Sequence, residues 1–145
     1  MKFFIRRIAV LFFLILSAAL LFACSKPKEG KVIISESGFS MRKDTGRSWV
    51  INAKGKIKNV GGVDVKNVVV TGYCRSCGEV VMSGTWFISD IEKADDQKDI
   101  ISYLPAGAEK EFSFKNVAFG WYGTKPDKMP DRLECVILSF EPVEK

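Results

Sequence analysis

The chain predicts an all-β fold, a single antiparallel β-sandwich of about seven strands with at most one short helical turn. Three observations carry this reading. From residue 31 onward the apolar residues recur with a period near two instead of 3.6. Clusters of Gly, Pro and Asn interrupt the alternation at short intervals. Only residues 89–97 carry a helix-start signal, Ser89-Asp90-Ile91-Glu92, with the spacing of a capping box.

Val32-Ile33-Ile34 opens the first strand, and the polar stretch from Gly38 to Gly46 reads as a turn region. Trp49, Ile51, Ala53, Gly55 and Ile57 then alternate with Val50, Asn52, Lys54, Lys56 and Lys58, which gives a strand with one buried face and a solvated, lysine-bearing one. Asn59-Val60-Gly61-Gly62 turns the chain. Val65 to Cys74, with Val68-Val69-Val70 apolar on both faces, reads as a central strand. Arg75-Ser76-Cys77-Gly78 is a turn from which Glu79 to Ile88 is expected to return as a hairpin partner, and a helical turn is expected within Asp90 to Gln97. Tyr103 to Gly107 turns into an alternating strand, Glu109 to Phe114. Asn116 to Pro130, with two glycines, two prolines and the aromatics Phe119, Trp121 and Tyr122, reads as the longest irregular segment. Leu133 to Phe140 is the last strand, ended by Pro142.

The first 30 residues are of another kind. Lys2, Arg6 and Arg7 precede an uncharged apolar run from Ile8 to Ala23, a basic region followed by a hydrophobic one. The run is shorter than the roughly 20 residues a membrane span requires, and it stops at a small residue before Cys24. Leu21-Phe22-Ala23-Cys24 resembles the lipobox of bacterial lipoproteins, although Phe22 is bulkier than the usual residue there. The resemblance implies cleavage before Cys24, a diacylglycerol on its sulfur and a membrane anchor of two or more acyl chains, each buried CH₂ contributing about 0.8 kcal/mol. Ser25 after the cysteine, where an Asp would favour the inner membrane, implies an outer-membrane lipoprotein facing the periplasm. The expected organisation is a signal peptide over 1–23, a lipidated tether over 24–30 containing Pro27, and one β-domain over 31–143.

Loss of the leader leaves 122 of 145 residues, the size of one domain, and lowers the net charge from +5 to about +2 because only basic residues leave. That charge is no nucleic-acid footprint. The chain has no histidine, which excludes Ser/His/Asp and Cys/His nucleophile arrangements and imidazole-based zinc sites. No catalytic residue, cofactor or metal is expected.

A second resemblance rests on Gly55-x-Ile57-x-Asn59-Val60-Gly61, on Val65-Lys66-Asn67-Val68-x-Val70-x-Gly72-Tyr73, on Gly78-Glu79-Val80-Val81, and on Leu104-Pro105-Ala106-Gly107 before Phe112. Together these residues, between Val50 and Phe114, resemble the FxLYD-type domain of bacterial surface and periplasmic proteins. The resemblance implies an immunoglobulin-like sandwich and an envelope-associated binding or spacer role, with no shared reaction. The chain departs from the pattern at Cys74, which stands where the family has Asp, at Gly72 and at Cys77.

With Cys24 committed to lipid, Cys74, Cys77 and Cys135 form an odd set in an oxidising compartment, so one disulfide and one spare thiol are expected. A Cys74–Cys77 bridge would close only the turn. A bridge from either to Cys135 would close about 60 residues and constrain the unfolded chain by roughly 4 kcal/mol, which favours Cys135 as the partner. The Cys-x-x-Cys spacing also allows a thiol-disulfide accessory role, but no helix pattern follows Gly78 to activate a thiol. A zinc site on the three cysteines would need a fourth ligand from a carboxylate or water, and thiolates in the periplasm face oxidation. Asp90, Glu92, Asp95, Asp96 and Asp99 share a stretch without glycine and interleaved with Lys93 and Lys98, a solvated loop more than a calcium site. Phe119, Trp121 and Tyr122 are the candidate ligand-binding aromatics, their alternative role being to close one end of the core. The expected function is a non-enzymatic, lipid-anchored binding or scaffolding module of the cell envelope, with an envelope protein or polysaccharide as partner.

Overall fold

The computed structural model describes residues 28–88 and 93–144. The leader, Cys24 and the 89–92 capping-box motif lie outside the described residues. Among the described residues, seven strands form two antiparallel sheets: β1 (Val32–Lys43), β2 (Ser48–Asn59), β3 (Val65–Cys74), β4 (Trp86–Phe87), β5 (Lys98–Leu104), β6 (Glu109–Trp121) and β7 (Leu133–Pro142). One sheet has the order β1-β2-β6-β4 and the other β5-β3-β7. The expected β-sandwich is the observed fold, and its only helical element among the described residues is a 3-10 turn, Asp95–Gln97. The immunoglobulin constant arrangement puts the sixth strand at the centre of its three-stranded sheet. Here β3 holds that place, because β5 and β7 hydrogen-bond to its two edges.

The alternation read in the sequence places the core. Ile51, Ala53 and Ile57 of β2, Val65, Val68 and Val70 of β3, Leu104 of β5 and Phe112, Phe114 and Val117 of β6 meet between the sheets. Such side chains, removed from water at about 25 cal/mol per Å² of apolar surface, are what join one sheet to the other. Gly72 completes the packing: a Cβ there would come within 2.9 Å of Phe114 and Val117 of the facing sheet, so this close approach requires glycine.

Four expectations are corrected. Gly38 to Lys43 is strand, not turn: β1 runs on through Phe39 and Met41, which pack on the core, and only Asp44 to Arg47 turns, with Gly46 at φ +48°. Glu79 to Ile88 does not return beside β3, whose edges are both taken; only Trp86 and Phe87 are strand, and they pair with Gly120 and Phe119 of β6 in the other sheet. β5 occupies the place beside β3 instead, a strand that the charged ends of Lys98-Asp99-Ile100-Ile101 masked in the sequence. Finally, β6 continues to Trp121, past a register shift where Asn116 adopts φ +59°; Asn tolerates this region, and between Phe114 and Ala118 the shift absorbs two extra residues of β6.

Two polar side chains are buried for connection. Gln97 receives the Ala94 N–H on its Oε1 (3.0 Å) and donates from Nε2 to the Asn116 carbonyl (2.9 Å), while its own carbonyl accepts from Thr71 Oγ1 (2.6 Å). This fixes the crossing from one sheet to the other. At the opposite end Asn59, fully buried, donates from Nδ2 to the carbonyls of Val63 (2.8 Å) and Leu104 (3.1 Å) and accepts the Gly61 N–H on Oδ1 (3.0 Å). Asn59→Ala takes the side-chain donor from the Val63 and Leu104 carbonyls, while the Gly61 N–H keeps the Lys31 carbonyl (3.2 Å); at about 1–3 kcal/mol for each buried unsatisfied group, a loss of at least about 2 kcal/mol is expected in urea unfolding. A loss under about 1 kcal/mol would show that the network contributes little.

Candidate functional site

The strand register sorts the loops into two ends. Val32 faces Asn59 and Val65 faces both Leu104 and Pro142, so the 28–31 segment, the 60–64 turn, the 105–108 turn and the C-terminus gather at one end, the base. Cys74 faces Leu133 and Ser48 faces Trp121, so the 75–85 segment and the 122–132 loop gather at the other, the tip. At about 3.3 Å per residue the ten residues of β3 separate the two ends by roughly 30 Å.

An open cleft of about 1150 Å³ occupies the tip, between the segment after Cys77 and the 122–132 loop. Its aromatic wall is Trp86 with Tyr122, ring centroids 5.3 Å apart and tilted by 51°. Both rings lie over Gly120, where a Cβ would come within 2.5 Å of Tyr122 and 2.9 Å of Trp86, so the pair depends on glycine in β6. Val80 and Met82 stand on one side, Met129 between Pro126 and Pro130 on the other. Val80, Val81 and Met82 are 67%, 54% and 56% exposed, three consecutive apolar side chains left in water. Glu79, Asp127 and Asp131 face Lys125 and Lys128 around the rim, so the cleft is nearly neutral. Burial pushes the Tyr122 hydroxyl up from its ordinary pKa.

The cysteines shape this end. Cys74 and Cys77 form the disulfide, with Cα atoms 5.4 Å apart, and Cys135 is free. The expected pairing with Cys135 is therefore corrected, and the register gives the reason. Cys135 stands opposite Gly72, two residues from Cys74, and diagonal neighbours in a sheet are about 7–8 Å apart, beyond ordinary disulfide reach. The bridged turn touches both sides of the cleft: the Arg75 N–H donates to the Arg132 carbonyl (3.0 Å), the Ser76 hydroxyl donates to the Asp131 carbonyl, and Gly78 bonds Trp86 and Ile88 through its main chain. Arg75 pairs with Glu134 and, like Lys93, sits over the Tyr73 ring, at 4.6 and 4.7 Å from its centroid. Burial, then the charge of Arg75, lowers the Lys93 ammonium pKa.

Cys74 is 4% exposed and no α-helix begins at the turn. The Cys74 sulfur, 3.7 Å from the Ser76 hydroxyl, is shielded from an attacking thiolate, since exchange depends on access to the sulfur. The geometry is that of a clamp on the loop. Among the described residues no group of three His, Cys, Asp or Glu could hold a metal ion; Asp96 accepts from Asn116 Nδ2 (2.6 Å), Asp99 from the Ser113 N–H (2.9 Å), and Asp95 pairs with Lys98.

The three candidate aromatics do not form one site. Tyr122 joins the cleft, whereas Phe119 stacks on Phe87 with centroids 5.9 Å apart, on the opposite face of the sheet by strand alternation, and Trp121, also on that face, is 53% exposed. The residues the sequence reading missed are Trp86, Met82 and Met129. Their signal was present: Val80-Val81-Met82 lies between Gly78 and Gly84, a loop pattern that its apolar residues made look like strand. Comparison with protein-family models, curated proteins and solved structures found no match.

Burial raises the Cys135 thiol to a pKa of about 11. Only the thiolate attacks an alkylating agent, so near pH 7.5 its reaction with iodoacetamide should be about 100-fold slower than that of an ordinary cysteine and should climb until pH 11. A rate that levels off near pH 9 would contradict this.

Proposed function

We propose that the protein is a lipid-anchored, non-catalytic binding module of the cell envelope, tethered to a membrane through Cys24 at its base and offering the tip cleft to a partner. The observation that carries the reading is the separation of the two ends. The described chain starts at the base, at Lys28, four residues after the cysteine of the lipobox-like motif, and the cleft lies about ten strand residues away. Seven tether residues reach at most about 25 Å, so a sandwich held there would turn its cleft away from the bilayer. The absence of histidine and the neutral, aromatic-walled cleft support binding over acid–base chemistry. The FxLYD-like residues support the same envelope role, and Ser25 favours the outer membrane, facing the periplasm.

A thiol-disulfide accessory role for Cys74 and Cys77 is the second reading, favoured by a formed Cys-x-x-Cys bridge beside the cleft. The burial of Cys74 weighs against it.

Mass spectrometry of the protein extracted from membranes of a bacterial host is the test. The reading expects a mature chain that begins at Cys24 and carries the mass of a diacylglycerol, with or without a further acyl chain. Recovery of the intact leader, or of a Cys24 without lipid, would overturn the anchoring.

A further inference from the structure

The cleft at the tip has features that together define a ligand class. Its volume, about 1150 Å³, lies just above the roughly 300–1,000 Å³ of small-molecule sites, which suits a segment of several residues more than a metabolite. Its rim is nearly charge-balanced, which disfavours polyanions such as nucleic acid or phosphorylated polymers. Its apolar contributors include two methionines, Met82 and Met129, whose flexible thioethers adapt to varied side chains. The main chain adds the deciding feature. Among the described residues, no hydrogen bond reaches the main-chain groups of Glu79, Val80 or Val81, although the flanking Gly78 and Gly84 are bonded to Trp86 and Trp121. A held segment with free amide and carbonyl groups and exposed apolar side chains is half of a peptide-binding arrangement.

We infer that the tip cleft binds an uncharged, apolar segment of another polypeptide, whose main chain hydrogen-bonds to Glu79–Val81 and whose large apolar side chain packs against Trp86, Tyr122 and Met129. This deepens the binding reading above and rests on the cleft alone, not on the lipid. The ligand's main chain takes up the free groups of the segment, and the side chain covers surface that is now in water. The disulfide turn and the Gly84–Trp121 bond hold the segment in place beforehand, which lowers the ordering cost of binding.

The test is selection from a phage-displayed library of random twelve-residue peptides on the full-length protein in detergent, followed by fluorescence-polarisation titration of the selected peptides. The expected peptides have an uncharged centre with at least two large apolar residues. Their affinity should fall at least tenfold on the double variant Met82→Asp with Met129→Asp, and at least tenfold when the central amides are N-methylated. Both methionines are partly exposed, at 56% and 36%, so the variant should keep the wild-type melting temperature, and Leu138→Asp, on β7 away from the cleft, should bind as wild type.

Selection of no peptide over the double variant, equal binding to it, or indifference to N-methylation would each overturn the inference. Saturable quenching of tryptophan fluorescence by chitotetraose, with no peptide selected, would overturn it in favour of a glycan while leaving the cleft a binding site. A dimer that forms with concentration and is lost in the double variant would overturn it in favour of a second copy of this chain. A Cys24 without lipid would remove the proposed anchoring and leave these titrations unchanged, so the two readings fail separately.

Discussion

The structure depends on one buried amide. Asn59 sits at zero exposure where β2 ends, and its side chain bonds main-chain groups at Gly61, Val63 and Leu104, while its own N–H and carbonyl bond Ala108 and Gly107. The strand of one sheet, the turn into β3, the end of β5 and the turn into β6 are therefore joined at a single residue. An apolar side chain of similar size would fill the space and take the side-chain donor from the Val63 and Leu104 carbonyls. Burial of Asn is tolerated because every polar atom it brings finds a partner.

That lock frees the opposite end for other work. With the base fixed, β3 runs as a two-sided apolar strand to Cys74, Gly72 lets Phe114 and Val117 of the facing sheet come close, and the strand ends in a bridged turn. The turn contributes little loop-closure entropy, as a four-residue ring must. Its effect is geometric. It ties the segment that carries Val80 and Met82 to the loop that carries Asp131 and Arg132, so the two sides of the cleft share one anchor. The spare thiol at Cys135, half-buried and protonated at neutral pH, adds no reactivity to this end.

How much of this was legible in the sequence follows from which interactions are local. The period-two alternation of β2 and the two-sided valine run of β3 are local and were read directly, as was the turn at Asn59–Gly62; the turn expected over Tyr103–Gly107 is shorter, because Tyr103 and Leu104 pair with β3 as the end of β5. What escaped needed long-range facts. Gly38 to Lys43 looks like a turn because Gly38, Ser40, Arg42 and Lys43 outnumber its two apolar residues, yet pairing with β2 extends β1 through it. The partner of β3 could not be read from Val80-Val81, since the choice between β4 and β5 is made by which strand keeps Trp86 over Gly120. The disulfide was misjudged because loop entropy describes the unfolded chain, whereas the register of β3 and β7 decides which sulfurs can meet. The cleft was invisible for a related reason: Trp86, Tyr122 and Met129 are brought together only by the topology.

The central claim is that this sandwich meets its partner at the tip and not at the base. It is tested most directly by placing a photocrosslinking amino acid at Met82 or at Val60, an exposed base residue, in the full-length protein within intact bacterial envelopes. The account predicts a discrete crosslinked product from position 82 that disappears when Met129→Asp is added, and none from position 60. Products from position 60 alone, or the same products from both, would contradict it.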